Sequence, residues 1–185
     1  MATVNLSKKE TLLLKDQKKH EELCIIKYTN YANQAQDPQL KQLFLTHAQQ
    51  EQEHLDTINQ ILNGQVPAMQ NQQQNQQQNQ QQNQQQNQQQ NQQQNMQNQQ
   101  QVQNMQQFNQ SQNNSMGTLK NVSDEILCND LLMVEKYVSG TYDTAIFEFS
   151  NSNIRQVLNH IQKEEQKHGE DIFNYMSSHG MYTQE

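Results

Sequence analysis

The chain has 185 residues, 19 of them acidic and 12 basic, for a formal charge of −7. Its lysines are dispersed among glutamates, so no basic patch of the kind a nucleic-acid partner requires is formed. No run approaches the roughly 18 apolar residues of a membrane span, and Met1 to Ser7 lack the apolar stretch of a secretory signal, which argues against membrane insertion and export by that route.

The N-terminal arm, residues 1–64, predicts a helical hairpin. From about Ser7 to Gln36 one heptad row reads Leu14, Glu21, Tyr28, Ala35 and its neighbour Leu13, Gln17, Cys24, Tyr31. Ser7 and Glu10 have capping-box spacing. Asp37-Pro38 closes this helix and opens a second, because proline is tolerated in a first helical turn but not in an interior. The second stripe reads Leu40, Phe44, His47, Glu51, His54, Ile58, Ile61, and Asn63-Gly64 supplies a stop.

Residues 65–117 read differently. No charged residue occurs between 57 and 119, and within 70–110, 37 of 41 positions are Gln or Asn, leaving only Met96, Val102, Met105 and Phe108 as apolar side chains. Such a segment cannot bury a core, and a long disordered polar tether is the expectation. Asn recurs at every fourth position from 71 to 95 without an apolar face to stabilise a helix. Amide-rich tracts of this kind also self-associate, so an adhesive role is a second expectation.

The C-terminal arm, residues 118–185, repeats the hairpin plan. Ser123-Asp124-Glu125 is a helix start, and the stripe reads Cys128, Leu131, Glu135, Val138, Tyr142, Ala145, Phe149. Ser150-Asn151-Ser152-Asn153 breaks the helix. The last stripe reads Ile154, Leu158, Ile161, Glu165, His168, Ile172, Tyr175 and ends near Ser178 to Gly180. Four amphipathic helices in two hairpins predict an all-α four-helix bundle, the two arms folding on each other. Its crossover must run about 37 Å if the second and third helices are parallel, and the linker is long enough for either topology.

A ligand constellation lies on these stripes. Each hairpin carries one Glu on its first helix and a Glu-x-x-His on its second: Glu21 with Glu51 and His54, and Glu135 with Glu165 and His168. Both first glutamates precede the second by 30 residues, and a shift of 114 maps one trio onto the other. Each pair straddles its turn symmetrically, so each lies at one height in the bundle, about 22 Å from the turn. Four core carboxylates repel one another unless they are protonated, paired or bound to cations. The set is that of a dinuclear iron or manganese carboxylate site, with Glu51 and Glu165 as bridges, Glu21 and Glu135 as single-helix ligands, and His54 and His168 as terminal nitrogens. The competing readings are a solvated acidic face and a relic site without metal. Glu22, Glu53 and Glu164 fall off the stripes and read as surface charge. His47 reads as a hydrogen-bonded core histidine or as a donor to a ligand. Tyr28, Tyr31 and Tyr142 read as core aromatics with a hydroxyl to satisfy. Cys24 and Cys128 have no partner at zinc-site spacing and read as buried free thiols.

The C-terminal arm resembles the coat F family of spore coat proteins from endospore-forming bacteria. The resemblance rests on Asn129-Asp130-Leu131-Leu132, Glu135-Lys136, Tyr142, Asn153-Ile154-Arg155, Glu164-Glu165, Phe173, Tyr175-Met176 and His179-Gly180-Met181-Tyr182. It implies a ferritin-like helical domain located in or near the spore coat and made in the mother-cell cytoplasm without a signal peptide. The metal ligands come from spacing in this chain, not from the resemblance.

Two function classes follow. The first is a structural or accessory coat component packed among other spore coat proteins. The second is a metal-dependent protein that reduces peroxide or oxygen, or handles iron or manganese. A homo-oligomer is compatible with both, and the long tether would ease domain swapping. A helical interaction module acting in the cytosol is a third option.

Overall fold

The computed structural model describes residues 4–67 and 123–182. The expected tether therefore lies almost wholly outside the described residues, and so does the expectation that it is disordered. The described residues are all-α: α1 spans Lys8–Gln34, α2 Pro38–Leu62, α3 Asp124–Glu148 and α4 Ser152–Ser178. These are the two hairpins that the periodicity predicts.

Local chemistry fixes each helix end. Ser7 Oγ accepts from Glu10 N at 3.2 Å and Glu10 Oε2 accepts from Ser7 N at 2.7 Å, completing a capping box. Asp37 caps α2 by accepting from Gln39 N at 2.7 Å, with Pro38 in the first turn where its missing N–H costs nothing. Ser123 caps α3, and Asn151 caps α4 through bonds from Asn153 N and Ile154 N. The hairpins also stop alike. Gly64 (φ 77°) and Gly180 (φ 68°) take the left-handed conformation just past α2 and α4. The following residues, Gln65 and Met181, donate back to Gln60 O at 3.0 Å and Met176 O at 2.8 Å, a Schellman closure.

The packing selects the topology that linker length leaves open. α1 packs on α2 and α3, and α4 packs on α3 and α2. At one end Ser150 N donates to Glu10 Oε1 at 2.9 Å, joining the start of α1 to the end of α3. At the other, Asp124 accepts from Gln36 N and Asp37 N at 2.8 and 2.9 Å, joining the end of α1 to the start of α3. Helices α1 and α3 are therefore antiparallel. α2 ends where α1 begins, since Val4 N donates to Gly64 O at 3.0 Å. The chain must cross the length of the bundle between α2 and α3, which run parallel.

Every residue of the predicted stripes on α2, α3 and α4 is buried, Phe149 just past the end of α3 included. On α1 the outcome differs. Leu13, Tyr31 and Ala35 only flank the core, while Glu10, Thr29 and Ala32 are buried. Ala35 is the C-cap of α1, one residue past its last helical residue Gln34, and Ala32, one turn after Tyr28, takes the place assigned to it.

Candidate metal centre

All six predicted ligands converge at mid-height of the bundle. Their exposures run from 0% for Glu21, Glu51 and Glu165 to 3% for His54. They form two overlapping groups, Glu21–Glu51–His54–Glu165 and Glu51–Glu135–Glu165–His168, in each of which one donor atom per residue lies within 4.8 Å of the others. Each hairpin lends its Glu-x-x-His glutamate to the other's group, so Glu51 and Glu165 belong to both.

Both histidines present Nδ1 to the carboxylates. His54 Nδ1 lies 3.0 Å from Glu165 Oε1 and 3.5 Å from Glu21 Oε2 and Glu51 Oε2. His168 Nδ1 lies 3.1 Å from Glu51 Oε1 and 3.9 Å from Glu135 Oε2 and Glu165 Oε2. Donors about 2.0–2.2 Å from one cation stand about 3.0–3.5 Å apart, so the contacts of 3.0–3.5 Å have the spacing that two donors to one cation would have, and the two at 3.9 Å are longer. Hydrogen bonding leaves most of these atoms free, the contact of His168 Nδ1 with Glu51 Oε1 at 3.1 Å being the exception. Among the described residues, Glu21 Oε2, Glu51 Oε2, Glu135 Oε2, both Glu165 oxygens and His54 Nδ1 are buried without a hydrogen-bond partner. Buried polar atoms in folded proteins are otherwise nearly always paired. A pair of divalent cations would satisfy them, and the mixed carboxylate and imidazole donors fit iron or manganese.

Four carboxylates in one dry core cannot all be ionised without a cation. Burial, then the charge of Glu21, pushes Glu51 well above the ordinary carboxylate range. Burial and Glu165 do the same to Glu135. Burial and the charge of Glu51 raise Glu165 to about 8. Burial opposes ionisation of Glu21 too, but the nearby His54 and Glu51 side chains and the hydroxyl of Tyr142 hold it low. Burial likewise opposes a charge on His54, yet the surrounding carboxylates, Glu164 first, raise it well above its usual value. His168 is lowered, chiefly by burial.

A second ring of side chains orients the first. Tyr142 OH donates to Glu21 Oε1, and Tyr28 OH donates to Glu135 Oε1, so each hairpin's tyrosine holds the other hairpin's single-helix glutamate. The expected hydroxyl partners are thus two of the predicted ligand carboxylates. Tyr31 lies at the margin, donating to Asp130 Oδ2 at 2.7 Å. Glu164 corrects the reading as surface charge. It is half-buried and its Oε2 lies 3.0 Å from His54 Nε2. Glu22 and Glu53 are exposed as expected.

His47 meets neither expectation. Its Nδ1 has no hydrogen-bond partner among the described residues, its Nε2 lies 3.6 Å from Asp171 Oδ2, and its ring stacks on His168 with centroids 4.4 Å apart. Burial and the nearby His168 and Lys167 lower its pKa to about 2, so it is a neutral ring. Cys24 and Cys128 are buried and free. Burial and the four site glutamates push the Cys24 thiol far up, and burial with Asp124 raises Cys128 to about 12, so both are protonated.

An antiparallel pair of helical hairpins, joined by a lengthwise crossover and centred on buried glutamates and two Glu-x-x-His pairs, defines a ferritin-like carboxylate bundle. Comparison with known families agrees. The rubrerythrin family profile matches residues 13–110, just over half of the chain, and the protein belongs to that family. The Coat F domain profile matches residues 123–185, which contain α3 and α4. The chain is also 34% identical over 68 residues to a Bacillus subtilis (strain 168) protein described as "Uncharacterized protein YusN", covering 37% of this chain and 62% of that protein. The chain thus spans less than two thirds of that relative's length. No solved structure matches significantly. Among the described residues no helix is long and apolar enough to cross a membrane.

Proposed function

We propose that this protein binds two iron or manganese ions in the core of its bundle and serves in peroxide or oxygen reduction, or in metal handling, at the spore coat. The observation that carries this reading is the convergence of Glu21, Glu51, His54, Glu135, Glu165 and His168 from four helices, with buried oxygens of all four glutamates and His54 Nδ1 lacking a hydrogen-bond partner among the described residues. Glu51 and Glu165, common to both groups, would serve both ions, with Glu21 and His54 holding one and Glu135 and His168 the other. When bound, such ions supply the electron-transfer capacity that the side chains lack. Tyr28 and Tyr142 keep their protons on the outer oxygens of Glu135 and Glu21, leaving the inner oxygens to face the centre.

The Coat F match favours a place in the spore coat, with other coat proteins as partners. It also supports a second reading, a purely structural coat component that needs no metal. Elemental analysis separates the two. Protein purified without chelator is expected to carry about two metal ions per chain, and Glu51→Ala and Glu165→Ala to lose them. Fe(II) or Mn(II) should raise the thermal midpoint of the parent and not of the variants, because a ligand that binds only the folded state stabilises it. Absence of metal together with absence of stabilisation leaves the structural reading alone.

A further inference from the structure

The shift of 114 residues carries Glu21, Tyr28, Glu51 and His54 onto Glu135, Tyr142, Glu165 and His168. One layer further out the correspondence fails. Glu164 on α4 corresponds to Gln50 on α2, and His47 corresponds to Ile161. The consequence is visible at the two imidazoles. His54 Nε2 lies 3.0 Å from the Glu164 carboxylate, which His160 Nε2 also approaches at 3.4 Å. His168 Nε2 is buried and, among the described residues, has no hydrogen-bond partner. Its ring is held instead by stacking on His47, at an interplanar angle of 27°.

A carboxylate on the outer nitrogen of a ligand histidine fixes the proton there. With the outer proton fixed, the inner nitrogen is the one that gives up its proton to an arriving metal and binds it as a lone-pair donor of raised basicity. Stacking orients a ring but selects neither tautomer. We propose that the two metal positions are inequivalent, and that the position built on Glu21 and His54 fills first because Glu164 holds His54 ready to bind metal while no described side chain does the same for His168. This rests on the dinuclear reading above. Glu164 acts through His54 and is a positioning residue. Its side chain is 36% exposed, so replacing it leaves the core packing in place.

The test is a titration of the metal-free full chain with Mn(II) alone, followed by calorimetry and electron paramagnetic resonance. The parent is expected to bind in two resolved steps. Near one equivalent the spectrum should show the hyperfine pattern of an isolated Mn(II), and the spin-coupled signal of a pair should grow only as the second equivalent is added. Glu164→Gln should weaken the first step about tenfold and leave the second nearly unchanged, since loss of an outer partner of a ligand histidine costs about 10–100-fold in metal affinity. Gln50→Glu, which places a carboxylate at the position corresponding to Glu164, should tighten the second step. A variant that merely loosened the fold would weaken both steps together. Two ions bound without preference in the parent, or a Glu164→Gln variant that alters both steps equally or neither, overturns the proposal and leaves the dinuclear reading standing. A parent that binds no Mn(II) overturns both.

Discussion

Tyr28 and Tyr142 each satisfy a carboxylate on the opposite hairpin, and both hydroxyls are fully buried. Removing either hydroxyl leaves one oxygen of Glu135 or Glu21 without a donor in a dry site. Tyr28→Phe and Tyr142→Phe are therefore expected to cost the metal-free protein about 1–3 kcal/mol each by denaturant unfolding, with similar values because the two contacts correspond. Metal loading should narrow the deficit, since a cation shares the exposed charge. The burial and convergence of Glu21, Glu51, His54, Glu135, Glu165 and His168 were legible in the sequence because charge on an apolar stripe is costly and the spacing repeats. The tyrosine contacts were not, since stripe periodicity places a residue in the core without saying which opposing helix its tip reaches. Glu164 was read wrongly for a related reason. It lies at the edge of the buried arc of α4, and the approach of His54 from the other hairpin, which stripe periodicity does not reveal, draws it into the site.

At the scale of elements, the ends of the bundle are tied by two carboxylates that serve as more than caps. Glu10 completes the capping box of α1 and also accepts from Ser150 N at 2.9 Å and Ser150 Oγ at 3.0 Å, across from α3. Asp124, in the first turn of α3, accepts two backbone N–H groups from the turn between α1 and α2. The sequence revealed the cap spacing but not these cross-ties, which exist only once the hairpins have docked. Burial alone would raise the Glu10 carboxyl, but the bonds from Ser150 and Ser7 outweigh it and lower the pKa from 4.5 to about 2. A group lowered on folding contributes stability above its unfolded value and loses that contribution as pH falls through its folded one. Glu10→Gln is thus expected to cost about 2 kcal/mol at pH 7, the scale of hydrogen bonds to a charged acceptor. The difference from the parent should shrink as pH falls from 4.5 towards 2, measured by unfolding at a series of pH values.

At the scale of the whole molecule, the site is assembled from both arms, since each group of ligands contains a glutamate from the opposite hairpin. Neither hairpin alone holds a complete position. The docking of the arms is therefore what makes the centre, and the crossover between Leu62 and Asp124 has to permit it. The two parallel helices it joins demand a reach of about 37 Å, the length of a helix of about 25 residues. Residues 64–122 number 59, and deleting 70–110 leaves 18. At about 3.3 Å per residue, 18 extended residues reach about 60 Å, so the shortened chain still spans the bundle. If the tract is the disordered tether that its composition suggests, closing a loop one third as long costs less entropy, by about 1 kcal/mol on the (3/2)RT ln n scaling. The deletion variant is accordingly expected to be monomeric where the parent is, to bind the same number of metal ions, and to unfold at a slightly higher denaturant midpoint. Loss of metal stoichiometry on deletion would mean that the tract takes part in holding the hairpins together, and the separation of core from tether drawn from the sequence would fall.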